Sequence, residues 1–372
     1  MRKIISFFAF VAIVLTFAAC NNGGNSNEPE VKGFTFNVDV ISTRVHVTVT
    51  PSDPNKFYYW SAWEASDISA DHTVRDCAET ELASNKYDEW LEWGEFMKGQ
   101  SRYSLCYQKN ENTKYYVYAC YVEKGDNGYA QIVGDVASQE FTTYRYHTLQ
   151  PVFSNNSHFC SCNVGNGAYE YGQWEFWGQP SGDRKDFYTW SEFKNMTLSN
   201  GFYTPDVNNW LRIFRTREHA DELFTLASIM NISYHPCYLV NGTVHGLIIL
   251  PDDWQEPQGV TLKSAKQIGF VWNETEQAYK ASSESFDGYA QNKLDEKTDW
   301  WALEKAGAVF LPAAGVNGGG QNSYGWYWAN SETDKPRAFS FSKNQLYLKN
   351  LSTNVVPVAG HYSSIRRVRE VE

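Results

Sequence analysis

A chain of 372 residues is too long for one ordinary domain, so two are expected. Hydrophobic residues make up 42 % and aromatics 16 %, enough to fill packed cores. The net charge of −11 argues against a nucleic-acid partner, because phosphate binding needs clustered Lys and Arg, and beyond Arg366, Arg367 and Arg369 no basic patch exists.

Residues 1–20 read as an export signal rather than as fold. Arg2 and Lys3 supply the positive start, and residues 4–19 form an uncharged apolar run too short for a comfortable membrane helix. Ala18-Ala19-Cys20 then ends the run like a bacterial lipobox, with Cys20 as the acylated first residue, although Phe17 stands where an aliphatic residue is usual. The alternative is an ordinary secretory signal cleaved elsewhere. The polar, Gly/Asn-rich residues 21–31 suit a flexible tether, so the expected location is the outer membrane, lipid-anchored, facing either the periplasm or the surface.

Export changes how the seven cysteines are read. Without Cys20 there remain Cys77, Cys106, Cys120, Cys160, Cys162 and Cys237. An oxidising compartment permits disulfides, but a chain this large does not need them. Cys160 and Cys162 would share one face of a strand with His158, which predicts a half-buried strand rather than a metal site, since further ligands are missing.

Residues 32–144 form the first expected domain. FTFNVDV from Phe34 and VHVTVT from Val45 alternate apolar and polar residues, as half-buried strands do. PSDPNK is a turn, FYYWSAW from Phe57 an aromatic strand and YYVYACYV from Tyr115 another, and EFTT at Glu140 closes the set. Between Asp67 and Gln100 the strand pattern gives way to a helical insertion. Strands at these spacings predict an immunoglobulin-like or fibronectin type III-like sandwich. The opening FTFNVDV, the PSD turn after a VTV strand and the closing TKYYVYACYV…SQEFTT resemble the N-terminal domain of many surface lipoproteins from anaerobic gut bacteria. That resemblance implies a spacer that holds a distal domain off the membrane.

The second expected domain spans residues 148–372. Thr204, Pro205 and Asp206 read as the N-cap, first position and first turn of a helix, with Val207, Trp210, Leu211 and Phe214 on one apolar face. Arg215, Arg217 and His219 suit its C-terminal dipole. Asn241-Gly242 is a hairpin signal. A second helix fits DWWALEKAG, capped by Asp299 and stopped by Gly307.

The order NNWLRIFRTRE, VNGTVHGLIILPDDWQEPQG, WWALEKAGAVFLPAAGVN, GWYWANSE, AFSFS and IRRVRE resembles the Fibrobacter major paralogous domain. The resemblance implies a C-type-lectin-like α+β fold, giving a mixed β and α+β chain overall. The family's YWSS stands here as Tyr327-Trp328-Ala329-Asn330, and its G-x-SVRPV ending is altered. The carbohydrate-selecting EPN or QPD and the WND calcium motifs of animal lectins are missing; Glu256-Pro257-Gln258 belongs to a turn.

No HExxH, GxSxG, P-loop or Cys-x-x-Cys occurs, and no motif implies a cofactor or a metal. Asp252-Asp253 reads as solvent-facing caps and His245 as structural. Formylglycine-generating enzymes share the broader fold, but the active-site cysteine pair they need is not matched by Cys160-x-Cys162. The expected ligand surface is the loop from Asn317 to Arg337, held between GAVFLPAA and RAFSFS. Within it Tyr324, Trp326, Trp328 and Asn330 share parity, and Asn317, Gln321, Asn322 and Arg337 add polar groups. The aromatics either pack as core or form a rim for sugar rings. The leading expectation is a non-catalytic binding module for a glycan or protein ligand, ahead of a structural or pilus-associated subunit and a glycan-processing enzyme.

Overall fold

The computed structural model describes residues 33–41, 44–106, 112–143, 157–163, 188–198, 202–232, 242–315, 320, 322–333, 335–353 and 363–370. Cys20 and the tether lie outside these residues. The chain divides into two compact units, Met1–Tyr146 and His147–Glu372. Several antiparallel sheets and a few helices, 40 % strand and 21 % helix, make the class mixed β and α+β.

The N-terminal unit contains β1 (Phe34–Ile41), β2 (Arg44–Pro51), β3 (Tyr58–Glu64), α1 (Val74–Leu82), α2 (Tyr87–Glu92), β4 (Ser101–Cys106), β5 (Lys114–Lys124) and β6 (Ala130–Thr142). They form two antiparallel three-stranded sheets, β1-β2-β4 and β3-β5-β6. The alternating valines of β2, Val45, Val47 and Val49, meet Tyr58, Trp60, Tyr115 and Val117 in one core, so the two sheets pack face to face. The opposite face of the second sheet carries Tyr59, Tyr118 and Cys120, which are covered by Ala78 and Leu82 of α1 and Trp90 of α2. The helical insertion is thus a third layer, and it explains why β5 is buried on both faces. Thr73 and Asp76 form a reciprocal capping box that starts α1. Cys77 and Cys120 are free and buried, and burial pushes their thiols up to about 11 and about 12.

The C-terminal unit contains β7 (Ser157–Asn163), α3 (Trp190–Lys194), β8 (Phe202–Tyr203), α4 (Val207–Leu211), β9 (Phe224–Ile232), β10 (Gly242–Ile249), β11 (Val271–Asn273) and β12 (Ala278–Lys280). It continues with β13 (Lys293–Asp295), α5 (Trp301–Lys305), β14 (Val309–Pro312), β15 (Tyr324–Trp328), β16 (Ala338–Ser342), β17 (Gln345–Tyr347), α6 (Lys349–Ser352) and β18 (Arg366–Glu370). Three sheets result, ordered β13-β9-β10-β14, β11-β12-β17-β16-β15 and β7-β18-β8. The side chains of His158, Cys160 and Cys162 on β7 lie outside the described residues, as do Cys237 and Asn241.

Both predicted helices start elsewhere than the sequence pattern indicates. Asp206, not Thr204, caps α4: its carboxylate accepts from Asn209 N at 2.7 Å, and Asn209 Oδ1 accepts from Asp206 N at 3.0 Å. The reason is tertiary, because the Pro205 carbonyl accepts from Asn330 N at 2.9 Å and keeps this segment extended. Likewise Asp295, not Asp299, caps the stretch leading into α5, accepting from Lys297 N at 3.0 Å and Thr298 N at 3.1 Å. Asp299 sits inside and accepts from Asp295 N at 2.8 Å. Gly307 does end that helix, with φ at 95°. The buried stripe running from α4 through the π-turn Arg212–Thr216 is Trp210, Ile213 and Phe214, whereas Val207 and Leu211 are only half-buried. Trp210 and Phe214 stack on each other, and both meet Phe339 of β16 at a tilt.

Candidate functional site

The register of β15 against β16 is unbroken from Tyr324↔Ser342 to Trp328↔Ala338, so no bulge interrupts the parity of Tyr324, Trp326 and Trp328. Gly325 is the residue between them because the Phe341 ring lies against it; a Cβ there would come within 2.4 Å of that ring. Tyr327, on the other face, is fully buried and donates to the Pro312 carbonyl at 2.9 Å.

Of the predicted aromatic rim, Trp328 is a correction. It is 1 % exposed, packed with Tyr188, Phe193 and Ile365, and its indole N–H donates to the Tyr188 carbonyl at 2.7 Å. A ring walled in on this scale cannot stack on a ligand, and its burial follows from α3 closing over the end of β15. Trp326, two residues earlier, packs against the edge of the same cluster and stays half-buried. Tyr324 is half-buried, with its ring over Gly320.

Of the described polar members, Asn330 and Asn322 are engaged with the backbone rather than with these rings. Asn330 is exposed, but its backbone pairs with residues 205 and 207 and its Oδ1 caps Ser331 N at 2.9 Å. Arg337 immediately precedes β16, its carbonyl accepts from Ala329 N at 2.9 Å, and its Nη1 is buried without a hydrogen-bond partner among the described residues. Asn317 and Gln321 lie outside the described residues. Asn322 has a structural role. At φ 61° its side chain accepts from His245 N at 2.7 Å and donates to the Thr243 carbonyl at 2.9 Å, while His245 Nδ1 donates to the Asn322 carbonyl at 2.9 Å. His245 also stacks on Tyr289, with centroids 4.8 Å apart. This clasp pins the end of the loop to β10.

The strongest polar construction of the unit lies elsewhere. Arg217, read from sequence as a dipole residue, has a side chain only 2 % exposed. Its guanidinium donates to the carbonyls of Ile213 at 2.8 Å, Leu250 at 2.8 Å and Leu223 at 2.9 Å, and to Asp252 Oδ1 at 3.0 Å. Burial lowers its pKa to about 10, against the opposing pull of Asp252. Asp252, expected as a mere surface cap, also accepts from Arg212 at 2.6 Å through its other oxygen. Burial alone would raise this carboxyl, but the two guanidinia hold it below its ordinary range.

This ion-pair cluster borders a cleft of about 560 Å³ that also takes in Glu218, His219, Glu222 and Trp254. A second depression of about 430 Å³ shares Glu222 and Trp254 and adds Glu256, Ser264, Lys266 and Gln267. Between them the chain makes a knuckle, with His219 at φ 51° and a 3₁₀ turn at Ala220–Glu222. The one sequence signal for this place is a lone tryptophan in the polar, proline-flanked run PDDWQEPQG. Glu256 accepts from Leu262 N at 2.6 Å, and Val260 N closes a turn on the Pro257 carbonyl at 3.2 Å, so this run is built as a turn. Among the described residues no three His, Cys, Asp or Glu side chains gather as a metal would need, and no helix is long and apolar enough to cross a membrane. No protein-family model matches this chain, and no curated protein or solved structure is significantly similar to it.

Proposed function

We propose that this chain is a lipid-anchored outer-membrane lipoprotein acting as a non-catalytic binding module for a glycan or protein ligand. In this reading Cys20 carries the anchor. The N-terminal unit is an immunoglobulin- or fibronectin type III-like spacer and the C-terminal unit a C-type-lectin-like domain of the Fibrobacter major paralogous type. The lipobox and polar tether support the anchor, and the face-to-face sheets of the N-terminal unit support the spacer. The observation that carries the binding reading is the division of labour on β15. Trp328 is spent on the core, while Trp326 on the same face remains half-buried beside Tyr324 at the rim of the loop. A half-buried indole held by a rigid strand offers a ligand an apolar face at little entropic cost.

The test compares two alanine variants of the full chain on a glycan and protein array. Trp326→Ala is expected to lose binding with a small change in melting temperature. Trp328→Ala is expected to lose about 3–5 kcal/mol of stability, as buried tryptophans do. The competing reading is a structural or pilus-associated subunit whose aromatics pack internally, and the burial of Trp328 is what favours it. Large destabilisation in both variants would decide for that subunit.

A further inference from the structure

We propose that the depression around Trp254 is a second, separate ligand site, a saccharide site for a neutral, hydroxyl-rich glycan with Trp254 as its stacking platform. It goes beyond the loop reading and does not depend on it. Trp254 forms a shared wall of the two adjoining clefts, of about 560 and 430 Å³, each within the roughly 300–1,000 Å³ span of small-molecule sites. The ring is half-buried and packs against the core formed by β9 and β10. Among the described residues its indole meets no other aromatic ring, and its N–H has no hydrogen-bond partner.

Other tryptophans of the unit are already committed. Trp272 carries the Arg215 guanidinium over its face at 4.7 Å and gives its N–H to Glu274. Trp328 gives its N–H to the Tyr188 carbonyl. Trp254 therefore keeps what a sugar ring needs, a flat apolar face and an available donor at its edge.

The polar surroundings specify the ligand's charge. Arg212 and Arg217 pair with Asp252, and Lys266 pairs with Glu222 at 2.6 Å. Among the described residues every Lys and Arg lining these two clefts is thereby matched, which leaves no unpaired cation there to select an anionic chain. What remains is a set of fixed donors and acceptors. Each Asp252 oxygen keeps a lone pair, and the side chain is 45 % exposed. A hydroxyl can donate to Asp252 while its neighbour accepts from Arg212. Because Arg217 is clamped beneath by three backbone carbonyls, Asp252 is held in place before any ligand arrives.

The experiment is affinity electrophoresis and calorimetry of the full chain with a β-glucan, a mannan and a starch, with polygalacturonate as the acidic probe. Wild type is expected to bind at least one neutral polysaccharide and not polygalacturonate. Trp254→Ala should weaken that binding by at least about tenfold. Trp254→Phe keeps the packing with a smaller face and should weaken it less. Circular dichroism melts report whether each variant folds, and Trp254→Phe decides alone if Trp254→Ala does not. Absence of neutral-glycan binding, binding of polygalacturonate alone, or wild-type affinity in the folded Trp254 variants would each overturn the proposal. Loss of binding in Trp326→Ala with the Trp254 variants unaffected would support the loop site and sink this one.

Discussion

Glu81 in the N-terminal unit and Asp252 in the C-terminal unit each accept hydrogen bonds from several side chains, yet their acidities move in opposite directions. Glu81 projects from α1 onto the outer face of the second sheet. There it accepts from Tyr59 at 3.0 Å, Ser61 at 3.3 Å, Trp63 Nε1 at 2.8 Å and Tyr118. Every donor is neutral, so burial dominates and the carboxyl is pushed up despite four favourable bonds. Asp252 is less buried and its donors are two guanidinia, so it is pulled down. The lesson is that the number of hydrogen bonds does not set the charge state; the charge of the donors and the depth of burial do. Glu81 acts as a polar knot tying a helix to a sheet, and Asp252 as the counter-ion of a buried cation.

The comparison can be broken most forcefully at Arg217. Arg217→Ala leaves the Ile213, Leu223 and Leu250 carbonyls without their charged donor and strips Asp252 of one of its two partners. A loss of about 3–5 kcal/mol is expected, read by urea unfolding as a shift confined to the C-terminal unit's transition. A shift below 1 kcal/mol, of the size typical for surface ion pairs, would show that the cluster is ornamental. A smaller effect is expected at Glu81→Leu. It removes the shared acceptor from Tyr59, Ser61, Trp63 and Tyr118, and a buried donor left unsatisfied costs roughly 1–3 kcal/mol. Scanning calorimetry should place that loss in the N-terminal unit, and an unchanged or raised melting temperature would mean that the four donors find other partners.

The smallest effect is the pH dependence, and it has opposite sign in the two units. The folded value of Glu81 lies above its ordinary 4.5, so its contribution is fully present below 4.5 and is lost as pH rises through the folded value. Asp252 lies below its ordinary 3.8, so its contribution is present above 3.8 and is lost as pH falls through the folded value. Lowering the pH from neutral toward 4.5 should therefore raise the N-terminal transition relative to that of Glu81→Gln, while the Asp252 contribution stays intact until below 3.8. Parallel pH profiles for wild type and Glu81→Gln would remove Glu81 from the account.

The strands of the N-terminal unit could be read along the chain because their signal is local. Val45, Val47 and Val49 alternate with polar residues, and a period of two carries its own secondary structure. The helical insertion was visible in the same way, through a long stretch poor in turn residues. Helix starts were not, since Thr204 and Asp206 both have cap chemistry and only the pairing of Pro205 with Asn330 decides in favour of Asp206. Parity correctly put Trp326 and Trp328 on one face of β15. It could not say which one the fold would enclose, because that depends on α3 and residues 363–365 arriving from distant parts of the chain. Arg217 and Asp252 are 35 residues apart and looked like surface charges. Composition and alternation determine which segments become strands and helices; where a charge is buried, which tryptophan is walled in and which keeps an open face are decided by contacts between segments that the chain's local order does not encode.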